Sequence, residues 1–157
     1  MSELRPAFDC RMCGTCCLGS GGIVVDSEDL KRLCAHMSLS PQEFSERHAE
    51  RRNGKLVIRA GDDGRCVFFA VGTGCTVHPA KPNICRAWPF FRGNLVDPES
   101  LALAKEYCPG IRRDVAPEEF TRLGLDYLRE EGLVGRGSSD EAAALQVEDV
   151  VRSFAKR

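Results

Sequence analysis

Four cysteines, Cys10, Cys13, Cys16 and Cys17, fall within eight residues. C-x2-C spacing lets two thiolates close on one metal, or on one face of an iron-sulfur cube, within a single turn of backbone. Gly14 suits that role, because a loop folding around a metal needs dihedrals that a Cβ resists. The chain holds nine cysteines in 157 residues, so a scheme built only of disulfides leaves one over. Cys34 shares an apolar helical stripe with Leu30, Leu33 and Met37 and reads as a small core residue. The candidate metal ligands are therefore Cys10, Cys13, Cys16, Cys17, Cys66, Cys75, Cys85 and Cys108. Four sulfurs complete a zinc tetrahedron or a [4Fe-4S] cube, so these eight permit two sites, or one with spare thiols. Successive side chains diverge along extended backbone, which assigns Cys16 and Cys17 to different sites.

Three thiolates at C-x2-C-x2-C spacing, with a remote fourth, fit the corners of an iron-sulfur cube, whereas zinc knuckles favour pairs separated by longer spans. Cys108-Pro109 repeats the Cys-Pro that closes ferredoxin-type motifs. The expected cofactor is thus an iron-sulfur cluster of the [4Fe-4S] type, with zinc as the alternative. His78, between Val77 and Pro79, reads as a turn residue or as a donor to a ligand, since thiolates are in sufficient supply. Arg86, beside Cys85, suits either a hydrogen bond to sulfur, an anion contact or a surface ion pair. Trp88, Phe90 and Phe91 can wall a centre from water or simply pack.

The elements that must position these residues change along the chain. Ile23-Val24-Val25 reads as a short buried strand after a flexible turn at Leu18 to Gly22. Asp26 caps a helix with Glu28 and Asp29 in its first turn, and Ser40-Pro41-Gln42-Glu43 opens a second through a capping box. Arg47 to Arg52 reads as a solvated helix face. Lys55 to Ala60 and Arg65 to Val71 read as strands of a small β-meander carrying Cys66 and Cys75. A three-residue loop around Thr73 sets Cys75 opposite Val71 and Cys66 opposite Ala80, so that these two cysteines do not readily share a site. Pro82 can open a helical turn that presents Cys85, Phe90 to Val96 reads as a further strand, and Asp97-Pro98-Glu99 begins a helix ending near Cys108. No cysteine follows residue 108. Pro117 opens a helix to about Glu131 with Phe120, Leu123, Leu125 and Leu128 on its apolar face; Gly135 to Ser139 is a linker; a last helix runs from Asp140.

With 22 Lys plus Arg against 23 Asp plus Glu, the chain has no electrostatic footprint for nucleic acid or for an anionic membrane. No secretory leader is visible at Met1 to Asp9 and no long apolar run follows, so the expected compartment is the cytoplasm, where thiols stay reduced. The expected class is α+β: a single small domain with an irregular, metal-organised cysteine half covered by C-terminal helices. Residues 1–9 are read as a tail, 10–110 as the metal-binding domain and 111–157 as a helical extension available to a protein partner.

The ordered set C-x2-C-Gly-x-C-C, Ile-Val-Val, Cys66-Val67-Phe68, Cys75-Thr76-Val77-His78, Pro82, Cys85-Arg86 and Pro89-Phe90 resembles the bacterial CxxCxxCC, or YkgJ-type, cysteine-cluster family. That resemblance implies zinc or iron chelation over about residues 10 to 110. Lys81 stands before Pro82 where the family commonly has Arg. Flagellin lysine N-methylase carries a similar cluster, which implies a link to methyl transfer, yet this chain has no recognisable S-adenosylmethionine motif. Three classes follow: an iron-sulfur enzyme or enzyme component, an electron or metal carrier, and a zinc-stabilised interaction module.

Overall fold

Helix starts are governed by short-range chemistry, and here they fall where the capping residues require. In the computed structural model, which describes residues 6–11, 23–62, 64–134 and 143–156, Asp26 caps helix α1 (Ser27–Met37) and Ser40 caps α2 (Pro41–His48), each through a reciprocal capping box. Asp97 likewise caps α5 (Pro98–Tyr107) by accepting from the Glu99 amide at 3.0 Å. Helix and strand are mixed, as the α+β class requires. The described chain divides into two compact units, one of residues 23–86 and one of residues 6–11, 87–134 and 143–156.

In the first unit β1 (Val24–Val25) and β2 (Ala49–Arg52) flank β3 (Lys55–Ile58) in an antiparallel sheet of order β1-β3-β2. The expected helix face over Arg47 to Arg52 is instead split: α2 ends at His48 and the chain turns into β2. Asn53 and Gly54, at φ 52° and 79°, supply the two left-handed residues of a tight hairpin between β2 and β3, and that pairing draws Ala49–Arg52 out of the helix. Leu33 and Phe44 are fully buried, and Phe44 stacks on Phe68 with centroids 6.1 Å apart. The meander beyond β3 is shorter than expected. A turn closed by the Phe69 amide on the Cys66 carbonyl, at 3.0 Å, interrupts the expected Arg65 to Val71 strand, leaving a hairpin of β4 (Phe69–Ala70) and β5 (Gly74–Cys75).

The second unit is helical. Phe90 to Val96, expected as a strand, forms helix α4 (Arg92–Val96) and packs beside α5. Helix α6 (Pro117–Glu130) buries Phe120, Thr121, Gly124, Leu125 and Leu128, an i, i+1, i+4, i+5, i+8 face, while Leu123 is only half-buried. Gly124 is small because Phe90 occupies the space, and a Cβ there would stand 2.5 Å from the ring. The last helix, α7 (Glu148–Ala155), begins later than Asp140: Leu145 lies in a short 3-10 turn, and the buried Val147 is the N-cap. Arg92 grips Asp149 with both guanidinium nitrogens, at 2.5 and 2.8 Å, tying α7 to α4. The expected linker at 135–139 lies outside the described residues. Among the described residues no helix is long and apolar enough to cross a membrane.

Candidate metal centre

Cys66 and Cys75 sit on the shortest elements of the first unit. The hairpin loop is Val71-Gly72-Thr73, centred one residue earlier than the expected turn, so Cys75 pairs with Phe69 rather than Val71. Gly72, at φ 82°, gives that loop a left-handed residue, and Gly74 takes φ 87° at the start of β5. Cys66 bridges to Ala60, not Ala80, because the Gly61 to Gly64 turn folds the chain back first. Cys66 is buried within the hydrophobic cluster of Leu33, Phe44 and Phe68, and Cys75 packs against the same cluster. Cys34 belongs to that cluster too, as its stripe implied, and burial, with Glu43 adding, pushes its thiol pKa up.

Cys85 lies on α3 (Asn83–Ala87), and a buried polar network holds this short helix. Asp26, Asp29 and Asn83 are 3%, 1% and 2% exposed. Asp29 accepts from the Asn83 backbone amide at 2.8 Å and from Arg32 at 2.7 Å. The Asn83 side chain donates to Asp26 at 3.4 Å and accepts from Arg86 at 2.9 Å and Arg32 at 3.3 Å. Arg32 also donates to the Lys81 carbonyl at 2.9 Å. Burial raises the Asp29 pKa, opposed chiefly by the amides of Asp26 and Asn83, and the Asp26 charge raises it further. The α1 capping box therefore doubles as the anchor of the Cys85 segment, a role that the reading of Asp26 as a cap did not contain. Arg86 takes its place in this network, and His78 opens a 3-10 turn with its pKa lowered by burial and by Lys81.

The second unit joins two chain segments that carry cysteines and lie about a hundred residues apart. Phe8 and Ile111 form an antiparallel bridge, with Asp9 N–H on the Gly110 carbonyl at 2.9 Å and Arg112 N–H on the Ala7 carbonyl at 2.8 Å. The chain from Cys108 to Ile111 is a turn closed by the Ile111 amide on the Cys108 carbonyl at 3.3 Å, so the bridge sets the residue before Cys10 against the turn that Cys108 opens. Gly110 makes the approach feasible: a Cβ there would collide with the Asp9 carbonyl and come within 2.8 Å of the Phe8 ring. Cys108 is a buried free thiol at the C-cap of α5, and Cys10 is exposed. Tyr107, just before Cys108, stacks on Trp88 at 5.8 Å, and Phe91 meets Trp88 edge-on at 5.2 Å.

Among the described residues no three His, Cys, Asp or Glu side chains converge as a complete metal site. Cys13, Cys16 and Cys17 lie outside the described residues, as does the Leu18 to Gly22 turn. The chemistry of the donors fits zinc or iron, since every candidate is a soft sulfur. One further observation supports that fit: the buried Trp88 Nε1–H has no hydrogen-bond partner among the described residues. Metal-bound sulfur accepts hydrogen bonds from such donors.

The uncharacterized protein MJ0661 of Methanocaldococcus jannaschii, an archaeon, is 27% identical to this chain over 85 residues, covering 54% of this chain and 45% of that protein. No solved structure matches the chain. A family model described as "Putative zinc- or iron-chelating domain" matches residues 9–109, which include all eight candidate ligands together with Cys34. The chain belongs to the CxxCxxCC family of cysteine-rich, metal-chelating domains.

Proposed function

We propose that this protein carries one or two cysteine-ligated iron-sulfur clusters of the [4Fe-4S] type. The observation carrying the choice is the C-x2-C-x2-C run of Cys10, Cys13 and Cys16, whose spacing suits three corners of a cube. Cys17, Cys66, Cys75, Cys85 and Cys108 complete the ligand set. A bound cluster supplies a one-electron couple. The protein's own residues hold the sulfurs, stack Trp88, Tyr107 and Phe91 beside Cys108, and fix Cys85 through Asn83.

A zinc-stabilised module is the second reading, favoured by the family's description, which names either metal. Anaerobic purification with iron, sulfide and zinc analysis separates the two. The iron-sulfur reading expects a brown protein with sulfide-to-iron charge-transfer absorption that bleaches in air. A colourless protein holding stoichiometric zinc, even after cluster reconstitution, would establish the zinc module instead.

A further inference from the structure

We infer that Cys10 and Cys108 ligate the same metal centre and that the Trp88 indole N–H donates a hydrogen bond to its sulfur. This rests on the metal-binding reading and specifies which cysteines share a site, which their spacing left open.

Three observations converge. The Phe8–Ile111 bridge and its two flanking hydrogen bonds hold Asp9, the neighbour of Cys10, on Gly110, within the turn that Cys108 opens. Alternation along extended chain returns Cys10 to the side of Phe8, whose ring meets Phe90 at 6.5 Å. Cys108 follows the tyrosine stacked on Trp88, so the indole and the thiol are held by consecutive residues of one helix end.

The indole supplies the second half of the inference. A buried N–H without an acceptor costs about 1–3 kcal/mol, and a native fold rarely tolerates one without a functional reason. Trp88 Nε1 is such a group among the described residues. A thiolate on a metal is a polarised acceptor, and an N–H directed at it withdraws charge from sulfur, which for an iron-sulfur centre raises the reduction potential. The Gly110 contact serves the same arrangement, because any side chain there would push the Cys10 strand away from the Cys108 turn.

The test uses the full chain and cadmium, which binds thiolates and is visible by NMR. Trp88 is the only tryptophan, so one indole cross-peak reports on it without assignment work. Loading anaerobically with 113Cd should move that peak downfield, slow its exchange with solvent and couple it to the metal. Iodoacetamide should alkylate the exposed Cys10 more slowly in the loaded protein, on the order of tenfold. Cys108→Ser should abolish both effects, and Cys34→Ala should keep both. Trp88→Phe offers a second variant: it should retain Cys10 protection but shift the cadmium-thiolate absorption band. Stoichiometric cadmium with the indole peak and the Cys10 rate unchanged from the apo protein overturns the shared centre and leaves the metal reading intact. Failure to bind cadmium, zinc or iron at all overturns both.

Discussion

The two units reach order by different physical routes. In residues 87–134 and 143–156, helices of up to 14 residues bury continuous apolar faces, and fit is decided by contacts such as Gly124 against Phe90. In residues 23–86 the elements carrying the candidate ligands Cys66, Cys75 and Cys85 are two-residue strands, turns and a five-residue helix, too short to be stable through their own hydrogen bonds. The segment carrying Cys85 is held by a buried polar network, while the hairpin carrying Cys75 has strands of two residues each, beside Thr76, whose amide and hydroxyl both donate to the Phe68 carbonyl at 2.7 Å. The contrast predicts unequal dependence on metal within one small protein: the helical unit should hold through its own packing, the Cys85 helix through its polar network, and the Cys75 hairpin should gain most from a ligand.

Metal removal should expose that contrast most strongly. Chelation is expected to release the amides of the β4–β5 hairpin to rapid hydrogen exchange while α6 stays protected, as read by exchange mass spectrometry on peptides from the two regions. Uniform loss of protection, or none, would break the comparison.

Asn83→Leu should cost about 3 kcal/mol, since it strips polar partners from Asp26, Arg32 and Arg86 at a buried position. Urea denaturation of the apo protein is the measurement, because the network's contribution does not require metal. A loss visible only in the loaded protein would show that the Cys85 segment is not pre-positioned.

Gly124→Ala probes the other route. Its Cβ meets the Phe90 ring and the Leu95 side chain, so overpacking of about 2 kcal/mol is expected, with metal content unchanged. Stabilisation by the better helix former would mean that the Phe90 contact yields easily. Cys34→Ala should cost about 1 kcal/mol for a small cavity and retain full metal content, whereas metal loss from the folded variant would make Cys34 a ligand.

The smallest effect concerns pH. Burial, with Arg47 and Arg59 adding, lowers the His48 pKa from 6.5. The unfolded chain therefore binds its proton first as the medium acidifies, so the contribution of neutral His48 is fully present above pH 6.5 and falls as pH drops toward the lower folded value. Urea midpoints at mildly acidic and neutral pH should diverge less in His48→Gln than in the wild type.

Which parts were legible from residues alone follows the range of the interaction. The caps at Asp26, Ser40 and Asp97, the start of α6 at Pro117 and the core role of Cys34 depend on neighbours within a few positions, and each was read from local pattern. The cysteine spacing likewise sufficed to indicate soft-metal chemistry and the family. The β2 strand, the register that pairs Cys75 with Phe69, the helical form of Arg92–Val96 and the Phe8–Ile111 bridge were settled only by tertiary structure. Gly72 and Gly74 both take positive φ, so the glycines alone do not choose the hairpin register, and α4 gains its stability from packing on α5 and α6 that its own five residues do not encode. The Asp29–Asn83 contact joins residues 54 positions apart, and neither residue type signals the other; only burial, which forces a carboxylate to find donors, selects that pairing.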